Sequence, residues 1–226
     1  MNLGLKLAFY VFILLGLGLS VYFLPTLVKV KEIKCSSQFG PCNINLQNKL
    51  QGIEGKNIRI AKKEVKAILT TEVIVKKYSL QFIIPDKLLI NLIERKAKYA
   101  LGSSSYAKLE IVDEEGLIIS LEESSNLPTL KKEGELNNVG EKVSKEEYFA
   151  LTLIDTLFDS FQIKEGKIEG DSLIINYNLV TKAIFPLEGD SELLASSFSL
   201  ILKKYESSKS QPKVIDLRFN NPVISE

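Results

Sequence analysis

The sequence contains no histidine, no tryptophan, one methionine and only two cysteines among its 226 residues. Without histidine the chain cannot form a Ser-His-Asp triad or a Cys-His pair, because both mechanisms use an imidazole as the general base. Two cysteines without histidine also leave a zinc site short of its four nitrogen or sulfur ligands. The sequence has no phosphate loop and no dinucleotide-binding fingerprint. We therefore predict a protein that is not an enzyme and that holds no cofactor and no metal.

Two short motifs match catalytic or metal-binding patterns only in part. Gly170-Asp171-Ser172-Leu173 spells the start of a GDSL-hydrolase motif, but a hydrolase of that class needs a histidine for its serine. Asp113, Glu114 and Glu115 are consecutive carboxylates. A solvated hairpin loop explains them better than a calcium site does, since neighbouring loop residues rarely converge on one ion.

The longest uncharged segment is the 22-residue stretch from Leu7 to Val28. At about 1.5 Å per residue, a helix of this length covers the roughly 30 Å of bilayer hydrocarbon. A cleaved signal peptide has a shorter apolar region and a small-residue cleavage site, whereas Tyr22 to Pro25 occupy that place here. We predict a cytoplasmic tail at residues 1–6 and an uncleaved transmembrane helix at residues 7–28.

Charge divides the chain into a basic and an acidic part. Residues 29–98 contain 15 Lys and Arg against 6 Asp and Glu, while residues 99–226 contain 13 against 22. A change of this size predicts two domains that meet near residue 100. The basic part lacks the interleaved aromatics of a nucleic-acid surface. Two interpretations of its charge remain open, namely attraction to anionic lipid headgroups and a solvated surface that keeps the domain soluble.

The two cysteines, Cys35 and Cys42, lie close together around a turn-like segment. A close pair beside a membrane anchor favours an oxidising compartment and a disulfide, and the alternative is two unpaired thiols in the cytosol. This pattern predicts that residues 29–226 lie outside the cytoplasm.

The first half of the chain predicts the order strand, helix, helix, strand, strand. Alternating residues predict a strand over 28–35, amphipathic segments predict helices from Ile44 and from Ala61, and β-branched residues predict a strand from Val73. The segment Ile84–Leu101 fits either an amphipathic helix or the second arm of a hairpin after a Pro-Asp turn. We predict a strand, because strands adjacent in sequence usually pair and tertiary pairing overrides local helix propensity.

The second half predicts a β-domain with two helices. We expect a hairpin around Asp113–Gly116 and a long surface loop over 126–143. Ser144 begins a capping box that predicts one helix, and a second helix is predicted to begin near Asp190. Two strands are predicted between these helices, and a last strand over 213–219.

This order of elements, together with four short motifs, resembles the bacterial cell-division family FtsQ/DivIB. The motifs are a Pro-x turn before a strand that ends in a Glu-Arg pair, an Asp-x-x-Gly hairpin, a Leu-Pro pair and an Asp-Leu-Arg sequence near the end. Here they occur at Pro85-Asp86 with Glu94-Arg95, at Ile111–Ile119, at Leu127-Pro128 and at Ile215–Arg218. The resemblance implies an α+β fold with a single N-terminal transmembrane helix, a POTRA domain (β-α-α-β-β) at residues 29–100 and a mixed β-domain with two helices at residues 101–226.

The resemblance also implies a function and a site. Proteins of this family are non-enzymatic bitopic membrane scaffolds of the bacterial divisome, and their terminal β-strand region receives an extended segment of the septal peptidoglycan-synthesis partners FtsB and FtsL. The matching partner-binding positions here are Asp216, Leu217, Arg218 and Phe219. The alternative for these positions is that the apolar residues belong to the core and that Asp216 and Arg218 form a surface ion pair of little energetic value.

The partners expected on this basis are divisome proteins similar to FtsB and FtsL, and a lipid bilayer contacted through one helix. We expect neither a nucleic acid nor a small-molecule substrate. The expected location is the cell membrane at the division septum, with a single span and the C-terminal domain extracytoplasmic. The alternative function is a membrane-anchored POTRA adaptor in secretion or envelope assembly.

Overall fold

The computed structural model describes residues 12–13, 28–207, 211–219 and 221–225. The chain divides into two units, Met1–Arg95 and Lys96–Glu226. The sequence predicted this division near residue 100. In the structure it lies between Arg95 and Lys96, because Ala97–Ser103 form a strand in the sheet of the second unit.

The N-terminal unit contains two helices and a four-stranded sheet. The helices are α1 (Ile44–Gln51) and α2 (Ile58–Thr71). The strands are β1 (Glu32–Ser37), β2 (Gly40–Pro41), β3 (Val75–Ile83) and β4 (Lys87–Glu94). The sheet order is β2-β1-β4-β3, in which β1 and β4 are parallel and the other neighbours are antiparallel. The predicted order of strands and helices therefore lacked one element, the two-residue strand β2.

Helix α2 forms because its apolar residues recur on one side. Its buried positions are Ile58, Ala61, Val65 and Leu69. The side chain of Asn57 caps the helix by accepting a hydrogen bond from the backbone N–H of Ile60 at 3.0 Å. Burying this face against the sheet supplies most of the stability of such a helix.

The segment after the Pro-Asp turn is a strand, as predicted. Strand β4 lies between β1 and β3 and pairs with both. Its alternate residues Leu88, Ile90 and Leu92 are buried in the core of the N-terminal unit. Pairing on both sides and burial of these side chains outweigh the local preference of this segment for a helix.

Cys35 and Cys42 are joined by a disulfide, with 5.5 Å between their Cα atoms. Both cysteines are buried within the core of the N-terminal unit. The enclosed loop is held to the sheet by Gln38, whose side-chain amide donates to the carbonyl of Glu94 and accepts from its N–H, both at 2.9 Å. The disulfide and this pair of hydrogen bonds together fix the loop against β4.

Reducing this disulfide should lower the free energy of unfolding of the N-terminal unit by about 2 to 3 kcal/mol, because a short closed loop restricts the unfolded chain. The measurement is urea unfolding of the full chain with and without reductant, followed by hydrogen exchange of the β4 amides. A double Cys35→Ala/Cys42→Ala variant is the control, since its unfolding should not respond to reductant. An unchanged transition of the natural chain in reductant would contradict a stabilising role.

The C-terminal unit contains two helices and a nine-stranded sheet. The helices are α3 (Lys145–Phe161) and α4 (Ser191–Ser207). The first strands are β5 (Ala97–Ser103), β6 (Leu109–Asp113), β7 (Ile118–Glu122) and β8 (Thr129–Lys132). The remaining strands are β9 (Glu165–Glu169), β10 (Ser172–Asn176), β11 (Lys182–Pro186), β12 (Val214–Asp216) and β13 (Val223–Ser225).

The sheet order is β13-β12-β11-β10-β9-β8-β5-β6-β7. The pairs β11–β12, β8–β9 and β5–β8 are parallel, and the other neighbours are antiparallel. Helix α3 packs on α4 and on strands β8 and β9. The core of this unit includes buried side chains from both helices and from the sheet.

Both predicted helices of this unit are confirmed, and so is the capping box of the first. The Ser144 hydroxyl accepts from the N–H of Glu147 at 3.1 Å, and the Glu147 carboxylate accepts from the N–H of Ser144 at 2.8 Å. At the start of α4, the Asp190 carboxylate accepts from two backbone N–H groups at 2.9 and 3.0 Å. Each cap satisfies N–H groups that have no partner within the helix.

Three predictions for the strands of this unit are wrong. The segment 126–143 is not a continuous surface loop, because it contains β8 in the middle of the sheet. The segment between α3 and α4 forms three strands instead of two. The last predicted strand, 213–219, is shorter, and β13 follows Pro222 as a further strand. These strands contain three to five residues each, so their own sequences carry little periodic signal.

The predicted fold class included a single N-terminal transmembrane helix, and this prediction is contradicted. In the described ranges no helix is long and apolar enough to cross a membrane. The longest helices there, α3 and α4, contain 17 residues each, fewer than the roughly 20 that span a bilayer, and bury one face in the core. Residues 1–6 and most of 7–28, to which the sequence assigned the cytoplasmic tail and the membrane helix, lie outside the described residues.

Candidate partner-binding edge

Strands β12 and β13 pair antiparallel and, with the described residues 217–219 and 221–222 between them, form a terminal hairpin at one end of the nine-stranded sheet. Strand β13 is the outermost strand, and among the described residues it pairs with β12 alone. An edge strand keeps one row of N–H and C=O groups outside the sheet. The side chain of Val223 on this strand is exposed. This edge can therefore accept a strand from another protein by backbone hydrogen bonding.

The four residues that the sequence predicted as partner-binding are divided between the interior and the surface. Leu217 is buried in the core, and Asp216 is buried as well. Arg218 keeps 37% of its side-chain surface accessible, and Phe219 is 57% exposed. Only Arg218 and Phe219 can thus touch a partner directly with their side chains.

Asp216 holds Arg218 in a fixed orientation. The guanidinium donates from Nη2 to Oδ2 of Asp216 at 2.7 Å and from Nε to Oδ1 at 3.0 Å. The backbone N–H of Arg218 also donates to Oδ1 at 3.1 Å. These hydrogen bonds from Arg218 are the main reason that the pKa of Asp216 lies below its usual value. A two-point contact between planar groups fixes geometry as well as charge.

A second contact fixes the other side of the Arg218 side chain. Its Nη1 donates to the Ser172 hydroxyl at 3.3 Å and lies 3.9 Å from the Asp171 carboxylate. The guanidinium carbon also lies 5.7 Å from the centroid of the Phe219 ring, within the range of a cation–π contact. The exposed Phe219 ring therefore lies beside the Arg218 guanidinium, which contacts with Asp216, Ser172 and Asp171 hold in place.

The GDSL-like tetrapeptide is part of a hairpin turn and not a nucleophilic site. Gly170 has a φ of 61° at the turn between β9 and β10. Ser172 is buried, and its hydroxyl donates to the Asp171 carboxylate at 2.8 Å while accepting from Arg218. The hydroxyl is engaged in structural hydrogen bonds, and the sequence has no histidine to activate it.

The carboxylate of Asp113 closes the hairpin between β6 and β7. Its Oδ1 accepts from the N–H groups of Glu115 and Leu117 at 2.8 and 2.9 Å. Gly116 adopts a φ of 76° at this turn, which explains the glycine. Within the described ranges no group of three or more acidic or cysteine side chains is placed to hold a metal.

Sequence reasoning missed two features of this unit. It assigned the edge to residues 213–219, whereas the outer strand is β13, and the only local signal was the apolar pair Val223-Ile224 after Pro222. It also missed two exposed leucines on α4, Leu193 and Leu200. They are seven residues apart and therefore share one side of the helix, away from the buried Phe198.

Comparison with models of known protein families found no match for this chain. Comparison with curated proteins found no match either.

Proposed function

We propose that this protein is a non-enzymatic scaffold of the bacterial divisome, which binds septal peptidoglycan-synthesis partners similar to FtsB and FtsL outside the cytoplasm. The observation that carries the proposal is the terminal hairpin, where the open edge of β13 lies close in sequence to an exposed Phe219. The four motifs that resemble the FtsQ/DivIB family support this class of partner. The Cys35–Cys42 disulfide supports an extracytoplasmic location, because disulfides persist in oxidising compartments.

In this proposal the partner adds an extended segment to β13. Backbone hydrogen bonds along the edge provide affinity, and side chains at the edge provide selectivity. Phe219 contributes apolar area to the contact, while Arg218 offers its cationic guanidinium to a partner carboxylate. Asp216 and Leu217 act as positioning residues, since one orients Arg218 and the other anchors the strand in the core.

Replacing Phe219 with aspartate should weaken partner binding by about 30-fold, because a central aromatic contact contributes on the order of 2 kcal/mol. The thermal transition of the protein should not change, since the ring is exposed. The measurement is co-purification of the full chain with FtsB-like and FtsL-like proteins of the same cell, together with the position of a fluorescent fusion in dividing cells.

Phe39→Asp is the matched control. Phe39 is 65% exposed and lies in the disulfide loop of the N-terminal unit, so the same change of chemistry occurs away from the terminal hairpin. This variant should bind partners normally and reach the septum. Equal binding by both variants would overturn the proposed site. A uniform signal of the natural chain in cells that divide normally would favour the POTRA-adaptor alternative.

A further inference from the structure

The outer face of helix α2 carries a stripe of basic side chains. The stripe consists of Arg59, Lys62, Lys63 and Lys66, and all four are exposed. Their spacing of three, four and seven residues places them along one side of the helix, beside the buried face. Like charges at this spacing repel one another, so the stripe is destabilising unless an anion lies against it.

The acidic residues of the N-terminal unit that pair with lysines pair outside the three lysines of this stripe. Glu64, on the same helix, pairs with Lys56 at 2.6 Å, and Glu72 pairs with Lys49 at 2.6 Å. Asp86 pairs with Lys31, and Glu32 pairs with Lys34 and Lys87. Within the described part of the chain, by contrast, no ion pair involves the three lysines of the stripe, Lys62, Lys63 and Lys66.

The stripe also begins where the long apolar segment of the sequence ends. The carbonyl of Val28, the last residue of the uncharged stretch from Leu7, accepts a hydrogen bond from the N–H of Ile58 at 3.0 Å. The next residue, Lys29, forms an isolated bridge with Asn57, the cap of α2. Arg59, the first cation of the stripe, directly follows Ile58, the residue that is hydrogen-bonded to Val28.

We propose that this stripe binds anionic phospholipid headgroups. Several basic residues beside an apolar segment are the arrangement that an anionic leaflet attracts. Ile60, which follows Arg59, is 46% exposed and has an aliphatic side chain that suits the boundary between headgroups and acyl chains. Binding of single-stranded nucleic acid would use aromatic side chains for stacking, and the α2 sequence contains none.

The test is lysine labelling of the full chain mixed with vesicles, read residue by residue by mass spectrometry. Vesicles of phosphatidylcholine alone are compared with vesicles that also contain phosphatidylglycerol. The labelling rate of Lys62, Lys63 and Lys66 should fall at least about tenfold on the anionic vesicles, since each basic side chain near an anionic leaflet adds a factor of about five. Roughly 1 M salt, with a Debye length of about 3 Å, should restore the rate.

Lysines elsewhere in the same molecule provide the internal control. Lys142, Lys203 and Lys204 are exposed in the C-terminal unit, and their labelling should be the same with both kinds of vesicle. Equal labelling of the stripe with both kinds of vesicle would overturn the proposal. Protection of the stripe by poly-glutamate but not by anionic vesicles would also overturn it, and would indicate an acidic protein partner. Neither result depends on the terminal hairpin, so the divisome proposal would stand or fall separately.

Discussion

Replacing Phe198 with alanine is expected to lower the free energy of unfolding of the C-terminal unit by about 3 to 5 kcal/mol. Phe198 is fully buried on α4. Its ring centroid lies 5.4 Å from that of Phe161, 5.6 Å from that of Tyr177 and 5.7 Å from that of Phe185, each pair in an edge-to-face arrangement. Such pairs add stability beyond the area they bury, and alanine would remove all three and leave a cavity.

Leu200→Ala is the matched control for this prediction, because Leu200 lies two residues away on the same helix and is exposed. Its loss should stay within about 0.5 kcal/mol. Urea unfolding of the full chain, followed by hydrogen exchange of the α4 amides, measures both variants. A loss below about 1 kcal/mol for Phe198→Ala would show that neighbouring rings move in to fill the space.

The elements that could be predicted from the sequence are those whose own residues carry the signal. Helix α3 has both partners of its capping box, Ser144 and Glu147, within four residues, and α2 shows its buried face as a simple repeat. Strand β8 could not be predicted, because its sequence is only Thr-Leu-Lys-Lys. Its place in the sheet is set by the parallel strands β5 and β9 on either side, which are distant in sequence.

The contacts of the candidate site, like strand β8, could be predicted only in part from the local sequence. Strict alternation along residues 214–219 predicts that Asp216 and Arg218 lie on the same side of the strand and that both are exposed. The two side chains do lie together. Asp216 is buried because Arg218 folds over its carboxylate. The contact of Arg218 with Ser172 depends on the β9–β10 hairpin, 46 residues earlier in the chain, and so no local pattern contains it.

A partly buried ion pair near the start of α3 leads to the second prediction. Nζ of Lys132 on β8 lies 2.6 Å from Oε1 of Glu147, and only 12% and 13% of their side-chain surfaces are accessible. A second carboxylate belongs to Glu110, which is inaccessible to solvent and accepts hydrogen bonds from Asn137. Burial raises the pKa of Glu110, the charge of Lys132 opposes that rise and the charge of Glu147 adds to it.

Replacing Lys132 with methionine should therefore lower the free energy of unfolding of the C-terminal unit by about 3 kcal/mol at neutral pH. The reason is that removing Lys132 leaves uncompensated charge on two carboxylates, the partly buried Glu147 and the inaccessible Glu110. The neighbouring Lys131→Met is the matched control. Lys131 pairs with Glu165 at the same distance of 2.6 Å, but their side chains are 52% and 62% accessible, so its loss should stay below about 1 kcal/mol.

The loss of unfolding free energy caused by Lys132→Met should also depend on pH, in a direction set by the raised pKa of Glu110. A carboxyl group whose pKa is raised by folding favours the folded state when protonated, and this contribution is lost as the pH rises through its folded pKa. Removing Lys132 raises that pKa further, so the variant should lose most stability at neutral pH and recover part of it in acid. Adding Glu110→Gln to Lys132→Met should restore part of the lost stability at neutral pH, because the amide oxygen can still accept from Asn137 without carrying a charge, while Glu147 keeps its charge. Equal losses for Lys132→Met and Lys131→Met at every pH would show that solvent screens the Lys132–Glu147 pair as it screens the exposed one.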